Sequence, residues 1–315
     1  MSSDKITIVF AGTPEFAQPS LESLATDTRF EILGVITQPD RPAGRGQKLA
    51  PSAIKQTAYK LGLPVWQPTR IKDLAADLKK LAPDFLVVVA YGQILPLEIL
   101  EIPKQGAINL HGSLLPKYRG AACVAAPILN GDPVSGVTIM LMDVGLDSGP
   151  ILDQKTINLD SRETAATLHD KLSQLGASRL GDVLADFYTG KITPKNQPLV
   201  GISYFPTLNK EAGLINWRKE ALLLDREVRA YYPWPGSFTT WSGRRLKIIR
   251  AEVWEGENLE EGLSGAVLMV DKKLLVSCGQ GFLNILELQL EGSRSLTAVD
   301  FLSGHGQIIG SRLGL

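Results

Sequence analysis

An asparagine and a histidine stand two positions apart at the end of the apolar run GAINLHG, and the turn SLLP follows the glycine after them. On a strand, residues i and i+2 share a face, so Asn109 and His111 point one way and Leu110 the other. A carboxamide N–H aimed at a carbonyl holds the charge that develops on its oxygen, an effect worth about 3 to 4 kcal/mol in mutational precedents. Imidazole titrates near neutrality and takes or relays a proton. The pair therefore suits acyl transfer to an amine, with Gly112 letting a ligand approach the backbone. A lone strand histidine is more often a satisfied core residue, but an amide sharing its face at a strand rim shifts that balance. The chain has only three histidines. His169 reads as an ordinary helix residue and His305 as a loop one.

A third group belongs with this pair if the chain brings it close. In MLMDVGLDSGPIL a β-run ends at Asp143, and Asp147 sits in the glycine-flanked loop that follows. An aspartate between glycines is by default a turn former. Should the loop cross the neighbouring rim, Asp147 could orient and charge-stabilise His111, as the acid of a hydrolase triad does.

Two further stretches could meet a ligand. The connection Thr37 to Lys55 is long for a strand-to-helix loop and sets Arg41, Arg45 and Lys48 against Asp40. Such a basic loop is usually just solvated. Its functional reading is an arm that clamps phosphates and orders on binding. The turn FAGTPEFA superficially resembles a dinucleotide-binding turn but has one glycine, Gly12, where G-x-G-x-x-G needs three, which disfavours NAD. It reads better as a tight strand-to-helix turn with Pro14 and Glu15 in the first helical turn, a place from which Phe16 could line a substrate pocket.

The elements that must position these groups follow from periodicity. Continuous apolar runs (ITIVF, FEILGVITQ, DFLVVVAY, GAINLHG, SGVTIMLMDV) alternate with helical patterns, which implies an α/β domain with a Rossmann-like, mostly parallel sheet covered on both faces. Ligands then gather at the carboxyl ends of the strands, where all the stretches above are expected. A long amphipathic helix, with Leu168, Leu172, Leu180 and Leu184 on one stripe, closes this domain near residue 190. Residues 191–207, rich in Pro, Asn and Lys, read as a linker, and 208–315 as a small antiparallel, OB-like β-barrel. At 315 residues the chain is long enough for two cored domains. Lys plus Arg and Asp plus Glu are both 33, so overall basicity recruits no partner, and a nucleic acid would need a local patch. Cys123 and Cys278 form no C-x-x-C and read as buried free thiols, with no metal site expected. No apolar run reaches membrane-spanning length and no leader pattern opens the chain, so a cytoplasmic, soluble protein is expected.

The strings NLHGSLLPKYRGAA and GVTIMLMDVGLDSGPIL together closely resemble the folate-dependent formyltransferases. FAGTPEFA, TQPDRPAGRGQKL, VVVAYGQILP and a β-domain preceded by YYPWPG are similar to the members that act on methionyl initiator tRNA. The resemblance implies a catalytic domain over 1–190, a tRNA-binding domain over 208–315, and Asn109, His111 and Asp147 as the catalytic trio. It also implies that Ser113, Leu114, Leu115 and Pro116 contact 10-formyltetrahydrofolate, that Arg45, flanked by Arg41 and Lys48, meets the tRNA, and that Phe16 receives the methionyl side chain. A monomer needing no metal is expected. The alternative acceptor is a small amine, such as a sugar nucleotide or glycinamide ribonucleotide. The sequence departs from the family at AACVAAPIL, where relatives often read AAPIQ. It departs also in the acids Glu252, Glu255, Glu257, Glu260 and Glu261, so that an RNA contact in the second domain would use a patch such as Arg244, Arg245 and Lys247.

Overall fold

The apolar runs become the centre of a seven-stranded sheet in the computed structural model, which describes residues 5–43, 48–256, 259–260 and 262–314. In chain order the first unit holds β1 (Ile6–Gly12), β2 (Phe30–Ile36), the short pair β3 (Arg41–Ala43) and β4 (Lys48–Ala50), and β5 (Val65–Trp66). β6 (Phe85–Val89), β7 (Ala107–His111), β8 (Val134–Leu141) and β9 (Ile151–Asn158) complete it. The sheet order is β5-β2-β1-β6-β7-β8-β9. Pairings from β5 to β7 are parallel, and β8 and β9 are antiparallel additions. All five residues of β6 are buried, as a strand covered on both faces requires. Each such Val or Leu contributes about 1.5 to 3 kcal/mol by leaving water.

Because β1 lies between β2 and β6, chain order reverses there and opens a crevice at the carboxyl ends of β1 and β6. Thr13 Oγ1 crosses it to donate to the Tyr91 carbonyl at 2.7 Å. Helices α1 (Gln18–Thr26), α2 (Ala53–Lys60), α3 (Ala75–Leu81) and α4 (Leu97–Leu100) flank the parallel strands. Ser52 caps α2 by accepting from the Lys55 N–H at 3.0 Å. The long amphipathic helix spans Ala165–Tyr188, with Leu168, Leu172, Leu180 and Leu184 buried as its period demands. At Gly176 this helix meets β7: a Cβ there would fall 2.5 Å from Leu110 Cδ2. Leu110 is thereby committed to the helix side, and Asn109 and His111 must face the other side of the sheet.

The compact units do not follow the expected boundaries. Residues 124–133 and 159–168 fold with 206–315, whereas 169–205 fold with the first unit. The stretch expected as a linker therefore has a structural partner. Lys195 bridges Ile151 at the start of β9, and Arg119 bridges Tyr204 in the same segment, its N–H donating to Ser203 O and its carbonyl accepting from Phe205 N–H.

The second unit is an antiparallel sheet of β10 (Ser237–Trp241), β11 (Arg244–Val253), β12 (Val267–Val270), β13 (Lys273–Ser277), β14 (Phe282–Leu290) and β15 (Leu296–Thr297), ordered β10-β11-β14-β13-β12 with β15 on β14. Its two outer strands are joined by the chain's last residues: Leu313 N–H donates to Gly265 O beside β12, and Gly314 N–H to Thr240 O in β10. The core gathers Trp217, Trp241, Leu246, Ile248, Leu274, Leu283 and Phe301. His305 ends the helix Ala298–His305 rather than lying in a loop, its ring tilted against Phe301 and edge-on to Trp241. On β11, Leu246 and Ile248 point inward, leaving Arg245 and Lys247 in solvent, and Arg245 lies 4.2 Å above the Phe238 ring.

Candidate active site

His111, the last residue of β7, is buried, and its Nε2 lies 3.0 Å from the Tyr118 carbonyl. A carbonyl only accepts, so Nε2 carries the proton and Nδ1 is left to face the rest of the site. Nδ1 stands 3.7 Å from Asp147 Oδ2, and that oxygen accepts the Gly120 N–H at 2.7 Å. Burial disfavours a charged ring, but the neighbouring Cys123 sulfur, the Asp147 carboxylate and the Tyr118 carbonyl together outweigh it and raise the imidazole pKa above its ordinary value. These neighbours favour the imidazolium form of the ring.

Asn109 sits one register step away on the same face, half-buried, and among the described residues its carboxamide has no hydrogen-bond partner. An N–H donor left free beside a charged ring is what a developing oxyanion requires. Tyr91, just past the carboxyl end of β6, is fully buried in the apolar core, its hydroxyl without a hydrogen-bond partner among the described residues.

Asp147 reaches His111 by a route that the expected parallel geometry does not supply. β8 runs antiparallel to β7, with Thr138 opposite His111 and Leu141 opposite Ile108, so it ends beside the amino half of β7 rather than at the carboxyl rim. The loop must fold back over the sheet. Asp143 Oδ1 shapes its start by accepting from Gly145 N and Ser148 Oγ, and Asp147 itself adopts a left-handed φ of 49°.

The turn after His111 is tied to its own frame. Ser113 Oγ donates to Lys117 O at 2.7 Å, Thr138 Oγ1 donates to Ser113 O and receives the Leu115 N–H, and Gln154 donates to both Leu115 O and Thr138 Oγ1. Ser113 and Leu115 are buried, and Leu114 packs over Gly136 of β8. Their side chains hold the turn's shape, which leaves Pro116 and Leu114, both half-buried, nearer to solvent.

Other expected residues are placed differently. Phe16 is buried edge-on against the His169 ring at 5.2 Å, and its carbonyl accepts from Ser173 Oγ, so it packs on the long helix. Arg41 opens the β3–β4 hairpin, and its guanidinium donates to Gln38 Oε1. Lys48 begins β4, and Arg45 lies outside the described residues. Asp40 is held by Lys55 and Gln67. Three neighbours of the site escaped the sequence reading: Cys123 against His111, and Arg119 and Gln197 beside the aspartate loop. Only Arg119 carried a signal, as part of the YRG string. Among the described residues no group of His, Cys, Asp and Glu could hold a metal ion, and no helix is long and apolar enough to cross a membrane.

Comparison with known proteins shows the family. Residues 4–184 match the formyl transferase family and 207–306 its C-terminal domain. The chain is 45% identical to a methionyl-tRNA formyltransferase of Trichlorobacter lovleyi over 97% of its own length and 96% of that protein's. It is 47% identical to one of Thermodesulfovibrio yellowstonii, over 95% and 96% of the two chains. A solved N-formyltransferase from Helicobacter canadensis shares the fold at a TM-score of 0.66 and 21% identity, covering 93% of this chain and 100% of its own. With both family models matched in order and relatives aligned nearly end to end, the chain belongs to the formyl transferase family, on its methionyl-tRNA formyltransferase branch.

Proposed function

We propose that the chain transfers the formyl group of 10-formyltetrahydrofolate to the α-amino group of methionyl initiator tRNA, with Asn109, His111 and Asp147 as its catalytic residues. The observation that carries the reading is the meeting of an unpartnered Asn109 carboxamide with a His111–Asp147 pair on one sheet face, in a chain that matches methionyl-tRNA formyltransferases along almost its whole length.

The folate supplies an electrophilic formyl carbon. Esterification lowers the basicity of the methionyl amine, so a useful share of it is neutral near pH 7. As the amine attacks, negative charge grows on the formyl oxygen, where the Asn109 N–H and the His111 imidazolium stabilise it. His111 is therefore a donor and a positive charge rather than a resting base. The attacking amine's proton falls to the Asp147 carboxylate, the remaining acceptor in the cluster, and collapse of the tetrahedral intermediate breaks the formyl C–N10 bond, N10 taking up that proton so that tetrahydrofolate leaves as a neutral amine.

The tRNA contacts are assigned by chemistry. The basic sequence stretch bearing Arg41, Arg45 and Lys48 suits phosphate, and the exposed Arg245 and Lys247 on β11 offer a second patch despite the acids nearby. The buried side chains of Ser113 and Leu115 suit a folate site whose contacts come from the turn's backbone, with Leu114 and Pro116 at its surface. Phe16 would receive methionine only through a rearrangement away from His169.

The test offers purified protein 10-formyltetrahydrofolate with charged initiator tRNA, charged elongator tRNA or small amines, and identifies the product by mass. Formylated initiator methionyl-tRNA is expected. Formylation of a small amine alone overturns the assignment.

A further inference from the structure

The segment after the long helix is bound to the catalytic turn residue by residue. Ile151 and Lys195 exchange two backbone bonds. Arg119 N–H donates to Ser203 O and Phe205 N–H to Arg119 O, Ser203 N–H donates to Pro116 O, and Tyr118 N–H to Ser203 Oγ. Between these anchors, Gln197 Nε2 donates to the carbonyls of Asp147 at 2.8 Å and Gly149 at 2.9 Å, while its Oε1 accepts from Arg119 Nη2 at 2.7 Å. Arg119 is itself 6% exposed, with Nη1 on the Tyr204 hydroxyl and its guanidinium 5.8 Å from the Tyr204 ring centre.

Asp147 needs such a hold. Its loop leaves β8 at the wrong end of β7, folds back, and places a non-glycine residue at φ 49°. Left-handed backbone at such a residue persists only where the surroundings over-determine it. Gly120 N–H fixes the carboxylate, and Gln197 fixes the peptide groups that carry it. An amide side chain is uniquely suited, since it donates twice with one end and accepts from a buried guanidinium with the other.

We infer that Gln197, oriented by Arg119, is a positioning residue for formyl transfer: it clamps the 147–149 backbone so that Asp147 stays beside His111, making the 195–205 segment a working part of the active site. The inference rests on the reading of Asp147 as a catalytic residue. Gln197 touches neither substrate nor reacting atoms in this role, so its loss acts through Asp147.

Formyl transfer by the full-length chain tests it, with Gln197→Ala, Gln197→Glu, Asp147→Asn and the two double variants. Gln197→Glu keeps the side-chain length and the Arg119 partner but cannot donate to two carbonyls when ionised, so it stays informative if Gln197→Ala folds poorly. Both Gln197 variants should lower kcat by about 10- to 100-fold with KM for both substrates near wild type. In the Asp147→Asn background they should cost little more, because residues acting as a unit are not additive. Wild-type kcat in Gln197→Glu, or an undiminished further loss in the double variants, overturns the inference and leaves the catalytic reading intact. Wild-type kcat in Asp147→Asn instead overturns that reading, and the inference with it.

Discussion

His111 Nδ1 and Asp147 Oδ2 lie 3.7 Å apart, and the carboxylate oxygen is already engaged by the Gly120 N–H. The separation is that of an ion pair rather than of a direct hydrogen bond. With Nε2 committed to the Tyr118 carbonyl, the ring is pinned at one nitrogen and electrostatically biased at the other. Both influences favour the charged ring.

A defined pH dependence follows. Against the opposing effect of burial, Cys123, Asp147 and Tyr118 raise the His111 pKa from 6.5 to about 9. A group whose pKa is higher in the folded state stabilises fully below its unfolded value and loses that contribution as pH rises through the folded one. The difference in thermal midpoint between the wild type and His111→Ala should therefore be largest below about pH 6.5 and shrink on passing pH 9. In the proposed mechanism the same proton serves catalysis, so kcat should fall on an alkaline limb near pH 9, and Asp147→Asn should move that limb to lower pH. A limb indifferent to Asp147→Asn would separate the carboxylate from the histidine.

In the proposed mechanism Asn109 contributes through its N–H, which has no partner among the described residues. Asn109→Ala removes one donor from the developing oxyanion and should lower kcat by about 10²- to 10³-fold. Folding should change little, since the side chain is half-buried and bonds to nothing among the described residues. Single-turnover formylation beside a denaturation curve checks both halves: a large stability loss with intact turnover would make Asn109 a structural residue.

What was legible in the sequence is what periodicity encodes. Unbroken Val and Ile runs such as FLVVV mark a strand buried on two faces, and two-residue spacing puts Asn109 and His111 together. The direction of β8 is not so encoded: SGVTIML has the same apolar texture whether it pairs parallel or antiparallel to β7, and its antiparallel course is what sends the Asp147 loop back over the sheet. Gln197 sits in a stretch whose prolines and polar residues carry no period, and its bonds are to backbone carbonyls far away in sequence. The place of Phe16 after a strand end suggests a pocket, but its burial against His169 depends on how the long helix packs. Cys123 lacks any nearby sequence partner, and only folding of the turn sets it against His111.

That placement of Cys123 predicts a measurable effect. The thiol is buried, and its sulfur acts on the ring in the direction that favours charge. Cys123→Ala should leave the fold and the KM values close to wild type while moving the alkaline limb of kcat to lower pH. Alkylation of the wild type by a small thiol reagent should abolish activity in proportion to modification, because added bulk at this position meets the His111 ring on which the proposed mechanism depends. A pH profile unmoved by Cys123→Ala would reduce the cysteine to packing.

Gly120 joins the two sides of the site and allows the sharpest stability test. Its φ is 102°, and a Cβ built there would stand 2.7 Å from the Phe205 carbonyl oxygen, inside the segment that carries Gln197. Both the backbone conformation and the contact exclude a side chain. Gly120→Ala must either push that segment away or shift the Gly120 N–H from Asp147, and should cost about 1 to 3 kcal/mol of stability. The change should lower kcat as well, because the displaced N–H is the group that holds the Asp147 carboxylate. Chemical denaturation combined with turnover of the folded fraction separates the two effects: full activity per folded molecule would show that the carboxylate holds its place without Gly120.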